Sequence, residues 1–219
     1  VSNVISVTPH PLLEVACFRA EWDHPLGRLP SPESLVRSLD AAADHQRDDA
    51  GKSAVRTMLR QHGYRPAGRG KPASEFLVAA SEKGILSSIN LAVDACNAAS
   101  LWGGLPISVV DTALASPPWR IEVAAEGSSY VFNRSGQEIS LTGLLCLEDS
   151  EGPCANAIKD SQRTKTHEGT RAVLAVVWGT TSLPGHAARV AARFEELLGP
   201  SGASIHPVAA RIEENSPGD

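Results

Sequence analysis

The sequence contains no apolar run near the ~20 residues that a membrane-spanning helix needs, so no such helix is expected. Its first residues, Val1-Ser-Asn-Val-Ile-Ser-Val7, lack the basic start and long apolar stretch of a secretory signal. Four cysteines stand at positions 17, 96, 146 and 154, with no Cys-x-x-Cys pair among them. That spacing argues against a zinc ribbon and against a disulfide framework. The cytoplasm is therefore the expected compartment. No Gly-x-Gly-x-x-Gly or Walker loop opens a helix after a strand, so no nucleotide cofactor is expected. No Gly-x-Ser-x-Gly elbow is present either, which argues against a serine hydrolase. The histidines at 10, 24, 45, 62, 167, 186 and 206 never pair at ligand spacing, and no metal is expected.

What is present, 219 residues, suits one domain, or one domain with terminal extensions, with 42% apolar residues for a core and 21% charged. The net charge of −5 looks wrong for a nucleic-acid partner until its distribution is read. Between Lys52 and Ser74 there is no acid, yet there are six bases: Lys52, Arg56, Arg60, Arg65, Arg69 and Lys71. This strip is a candidate phosphate-contacting surface, or alternatively a solvated helix face followed by a basic loop.

Two short segments, Val4–Val7 and Val15–Glu21, read as strands. Ser31-Pro32-Glu33 has the hydroxyl, proline and acid of a helix start, and that helix is expected to run to about Gln46. A second helix is expected near Gly51–His62, with Val55, Met58 and Leu59 inward and an end at Gly63. Ser74 is expected to cap a short helix, Glu75–Lys83. From Pro106 the pattern changes to period two. Ile107–Val110, Trp119–Ala124, Tyr130–Asn133, Leu144–Glu148 and Ala172–Trp178 read as strands, with turns at Gly127, Gly136 and Gly152. A last helix is expected over His186–Leu198, followed by a tail that should fray. Helices first and strands second argue for an α+β fold rather than alternating units.

The most informative stretch is Ser88 to Asp111, one helix with a tight exit into a strand. Asn90, Asp94 and Asn97 fall at i, i+4 and i+7 along it, among apolar or small neighbours. Such a helix is expected to be buried, with its carboxylate hydrogen-bonded. The trio either locks nearby loops or lines a polar pocket. Asn90, Val93, Asp94, Asn97, Gly104, Pro106 and Asp111 keep the order and spacing of the B3/B4 domain of the phenylalanyl-tRNA synthetase β subunit. Lys71-Pro-Ala-Ser-Glu75 and Asp160-Ser-Gln-Arg-Thr164 resemble two other hallmark segments of that domain's free-standing relatives. The chain resembles this family from about Val55 to Trp178.

The resemblance implies a domain of the kind that hydrolyses misacylated tRNA. It implies an editing-domain fold over residues 51–199, an N-terminal extension over 1–50 and a flexible tail over 200–219. It implies that Glu75, Asn90, Asp94, Asn97, Ser108, Ser161, Arg163 and Thr164 bind substrate, with Glu75, Asn97, Arg163 and Thr164 converging on one cleft. Aminoacylated tRNA is the implied partner, held by the Lys52–Lys71 strip, with no DNA or membrane. Two departures stand out: the family's histidine is replaced at Ser108 and its glutamate at Val176. Aminoacyl esters hydrolyse easily, so a pocket that positions water can suffice without them. A non-catalytic module for tRNA or an amino acid is the alternative. Histidine titrates near neutrality, so His167 is a further acid/base candidate that the family does not use. No aminoacylation activity is expected, because no ATP-binding motif is present.

Overall fold

A computed structural model describes residues 3–40 and 43–213. Among the described residues, ten strands and five α-helices form a mixed α+β architecture. The strands are β1 Val4–Val7, β2 Leu13–Glu21, β3 Ile107–Asp111, β4 Trp119–Val123, β5 Ser129–Val131, β6 Glu138–Ser140, β7 Leu145–Asp149, β8 Gly152–Asn156, β9 Ala172–Thr180 and β10 Ser204–Ile212. The helices are α1 Glu33–Arg37, α2 Asp49–Arg60, α3 Ala73–Glu82, α4 Leu91–Gly103 and α5 His186–Leu198. Among the described residues, no helix is long and apolar enough to cross a membrane.

Eight strands form one sheet in the order β3-β9-β2-β10-β1-β4-β7-β8, while β5 and β6 form a separate hairpin. β1 runs parallel to both β10 and β4, and the other pairings are antiparallel. The two end strands come together: Ser108 Oγ on β3 lies 3.3 Å from the Asn156 carbonyl on β8. Asp160 bridges the same seam, accepting from Val109 N at 3.4 Å and Asn156 N at 3.3 Å. One carboxylate thus satisfies amides from both sheet edges, groups that would otherwise be stranded in the interior.

β9 is buried along almost its whole length because α5 covers it and β2 and β3 flank it. Phe18 on β2 meets Phe194 on α5 edge-to-face at 5.0 Å. Helix α4 packs against α5 and β3, which explains why nearly all its residues are small or apolar. The close approach needs Gly103, where an added Cβ would lie 2.2 Å from Val190 Cγ2. Gly104 then ends α4 in the left-handed region at φ 74°.

Several expectations need correction. The helix from Ser31 to Gln46 is the short α1, with Pro32 rather than Ser31 at its N-cap. Leu39 is buried and its carbonyl accepts from Ser81 Oγ at 2.6 Å, so it is diverted from a helical ladder. Farther on, Gln46 N donates to the Trp102 carbonyl at the end of α4. The middle of that expected helix, residues 41 and 42, lies outside the described residues. Ser74 is a buried residue inside α3, not its cap. Residues 1–50 supply β1 and β2 to the interior of the sheet, β2 lying between β9 and β10. The expected tail carries β10, which pairs with both β1 and β2; residues 214–219 of that tail lie outside the described residues. Gly152 opens β8 rather than a simple turn.

Candidate functional site

The N-terminus of α4 is where sequence, polar chemistry and concavity coincide. Asn90 is the N-cap, its Oδ1 accepting from Val93 N at 3.1 Å. It therefore sits before the helix rather than on its face. The same side chain donates from Nδ2 to Thr166 Oγ1 at 3.2 Å, tying the helix start to the loop after β8. Asp94 is fully buried one turn inside. Its Oδ1 accepts from Ile89 N at 2.8 Å, and its Oδ2 accepts from the hydroxyls of Ser31 and Ser88, each at 2.5 Å. The carboxylate thus has three donors and stabilises the helix start.

A third segment completes the enclosure. Leu26 N and Gly27 N donate to the carbonyls of Thr170 and Glu168, both at 2.8 Å. Gly27 eases that approach, since an added Cβ would stand 3.0 Å from the Glu168 backbone oxygen. The result is a cleft of about 910 Å³ between Leu26–Ser31, Ser88–Asn90 and Thr166–Glu168, with Arg134 from the β5–β6 turn also lining it. That volume suits a small ligand or the terminal nucleoside of a larger one.

The cleft holds two kinds of polar group. Arg28 and Arg134 are exposed cations. Ser31 and Ser88 spend their protons on Asp94, so their oxygens are left as acceptors backed by a negative charge. His167 is poorly placed as a base. Its Nδ1 accepts from Gly169 N at 3.0 Å, and its Nε2 lies 3.3 Å from Asp111 Oδ2. Asp111 is itself buried and also takes the Thr170 hydroxyl at 2.5 Å. Burial pushes the thiols of Cys17 and Cys146 up to about 12. It raises those of Cys96 and Cys154 as well, so none of the four is a ready thiolate.

Of the expected substrate-binding residues, Asn90 lines the cleft and Asp94 supports it. The other six do not line it. Glu75 is held by Arg56 in a two-pronged pair, with both contacts at 2.6 Å. Arg163 makes the same kind of pair with Asp149, both contacts at 2.8 Å. Burial alone would raise the Asp149 carboxyl; the Arg163 fork and the amides of Glu151 and Ser116 outweigh it and hold it below its ordinary value. Thr164 is fully buried, its hydroxyl on the Cys154 carbonyl at 3.2 Å. Ser161 is buried and caps the short turn Gln162–Thr164. Asn97 is buried within α4. The four side chains expected to converge therefore do not share this cleft, because three of them are consumed by structural partners.

Ser108 and Val176, the two positions that depart from the synthetase pattern, are directly paired in register on β3 and β9. Both are completely buried. Ser108 Oγ accepts from Trp178 Nε1 at 2.9 Å and donates to Asp160 Oδ1 at 2.7 Å. Burial raises the Asp160 carboxyl to about 6, against the lowering effect of its hydrogen bonds to Ser108, Asn156 and Val109.

The basic strip is divided. Lys52, Arg60, Arg65 and Arg69 are exposed and Lys71 is half-buried, while Arg56 is neutralised by Glu75. Residues that sequence reading missed are Ser31, assigned to a helix start, and Arg28, Arg134 and Thr166. The signal available for the last was the polar loop after β8. It contributes through Thr166–Glu168 rather than through Ser161–Thr164.

No family model matches this sequence, and no curated protein matches it significantly. Among solved structures, the fold is similar to an N-terminal fragment of the phenylalanyl-tRNA synthetase β-subunit from Pyrococcus horikoshii. The TM-score is 0.53 at 13% sequence identity, over 97% of this chain and 53% of that one. The chain thus spans about half the length of that fragment, and the likeness is one of fold.

Proposed function

We propose that this protein is a counterpart of the synthetase editing module, which takes the aminoacyl end of a tRNA into the α4 cleft and clears its ester. The observation that carries this reading is the pairing of opposite requirements in one cleft. Ser31 and Ser88, backed by Asp94, present acceptors to an α-ammonium group, while Arg28, Arg134 and Asn90 present donors to ribose and phosphate oxygens. An aminoacylated nucleotide carries both. The fold shared with a synthetase β-subunit fragment supports tRNA as the source of that group. The exposed cations Lys52, Arg60, Arg65 and Arg69 suit contacts to the tRNA body.

For hydrolysis, water attacks the ester carbonyl carbon and the bond to the ribose oxygen breaks. Glu168 is the cleft carboxylate nearest to the role of base, taking the water's proton and returning it to the departing ribose oxygen. A second reading, binding without hydrolysis, is favoured by one observation: both His167 nitrogens already have partners. Incubation with a panel of mischarged tRNAs separates the two. Amino acid release about 100-fold or more above background, lost in Glu168→Gln, is expected for the first. Protection of the ester from spontaneous hydrolysis supports the second, and no effect on any charged tRNA defeats both.

A further inference from the structure

Two lysines meet at one aromatic residue close to the cleft, without carboxylate partners, and a guanidinium bears on them. Lys159 Nζ lies 4.0 Å above the centre of the Phe132 ring, and Lys165 Nζ donates to the Phe132 carbonyl at 2.5 Å. Two ammonium groups thus converge on one residue at the end of β5. The guanidinium is that of Arg69, on the loop before α3, which the Ala73 amide joins to the Ala157 carbonyl, two residues before Lys159, at 2.9 Å. Burial and the Arg69 guanidinium both lower the Lys159 amine, and burial and Lys159 lower that of Lys165, partly offset by Asp160. Like charges held this close repel, and among the described residues no carboxylate lies within ion-pair distance of any of the three. The acid that bears on Lys165, Asp160, is half-buried and committed to Ser108 and two backbone amides. Such a cluster lacks its counter-charge, and an anion supplied from outside would relieve it.

Its position says which anion. Lys165 immediately precedes Thr166, and Phe132 lies two residues before Arg134; both Thr166 and Arg134 line the cleft. Lys165 and the Phe132 ring that Lys159 covers thus belong to the two segments that bring Thr166 and Arg134 to the cleft. Spaced cations around a half-exposed aromatic ring match a chain of phosphates with a base beside it. We propose that Arg69, Lys159 and Lys165, with Phe132, form the track for the single-stranded phosphodiester backbone that leads an RNA 3′ end into the cleft. This inference rests on the reading of the cleft given above and adds the path by which the RNA reaches it.

The test is fluorescence anisotropy of the whole protein with an uncharged RNA minihelix bearing a single-stranded 3′ overhang. Lys159→Gln/Lys165→Gln should weaken binding about tenfold or more at low salt and reduce the salt slope by roughly 1 to 2. Lys159→Gln alone should give part of that loss. Its amine has no hydrogen bond that the fold needs, so it guards against misfolding of the double variant. Arg193→Gln on α5, whose partner is Glu196, should leave affinity unchanged. Equal affinity of wild type and the lysine variants, or no binding by wild type at low salt, overturns the track. Competition by polyglutamate as effective as by unlabelled RNA overturns its assignment to RNA. The probe carries no amino acid, so failure of the ester reading would appear in amino acid release and not in this measurement.

Discussion

The Ser31 hydroxyl donates to Asp94 Oδ2 at 2.5 Å, joining two cleft-forming segments that lie 63 residues apart in the chain. The Ser88 hydroxyl reaches the same oxygen from the loop before α4. A buried carboxylate at a helix start thus sets the spacing of two walls. Folding energy and pocket shape depend on the same atom here.

Asp94→Ala should leave the Ile89 amide without its acceptor and free both serines to rotate. A stranded buried donor costs about 1–3 kcal/mol. Urea unfolding should show a lower midpoint with an unchanged slope. Asp94→Asn keeps an oxygen for Ile89 and should lose less, because the serine hydroxyls can turn to accept from its amide.

Arg163→Ala should act on stability rather than on recognition. Asp149 has a side chain only 1% exposed and would keep its charge without its main partner. The expected loss is about 2–4 kcal/mol, below that of a fully buried pair because the Arg163 side chain is 31% exposed. A double-mutant cycle with Asp149→Ala should reveal strong coupling, whereas ester release per folded molecule should not change.

Asp160 gives the fold a pH dependence of defined sign. Its folded value, about 6, lies above the ordinary carboxylate value, so the native state holds this proton more tightly than the unfolded chain. The resulting stabilisation is present below pH ~4 and is lost as pH rises through ~6, a change of roughly 3 kcal/mol. Urea midpoints measured from pH 4 to 7 for wild type and Asp160→Asn should diverge by this amount, the wild type falling relative to the variant. Asp149 contributes with the opposite sign, and it cancels in that difference.

Elements with strong local periodicity and end signals were legible in the sequence. Helix α5 matches its expected bounds, His186–Leu198; α4 was visible as an apolar run, but it was expected to start at Ser88 with Asn90 on its face, whereas Asn90 caps a helix that starts at Leu91. Strand β10 was not, because only Val208 in it is buried and Pro207 interrupts it; partners on both sides hold it instead. The same distinction governs the site. Asp94 was readable as a buried, bonded carboxylate from its neighbours alone. Arg163 and Glu75 were expected to bind substrate from the family resemblance, and their partners, Asp149 and Arg56, are brought to them by tertiary pairing that local spacing does not encode. Arg28 and Arg134 come from unrelated loops and meet only through folding.

The most direct test of the α4 cleft as the aminoacyl site is a chemical-shift titration of isotope-labelled protein with a non-hydrolysable aminoacyl-adenosine amide. It reports binding whether or not the ester is cleaved. The account predicts saturable shifts at the amides of Gly27–Ser31, Ser88–Asn90 and Thr166–Glu168, absent in Arg134→Gln. Shifts confined to residues around Arg163 and Glu75, or no saturable shift at millimolar ligand, would contradict it.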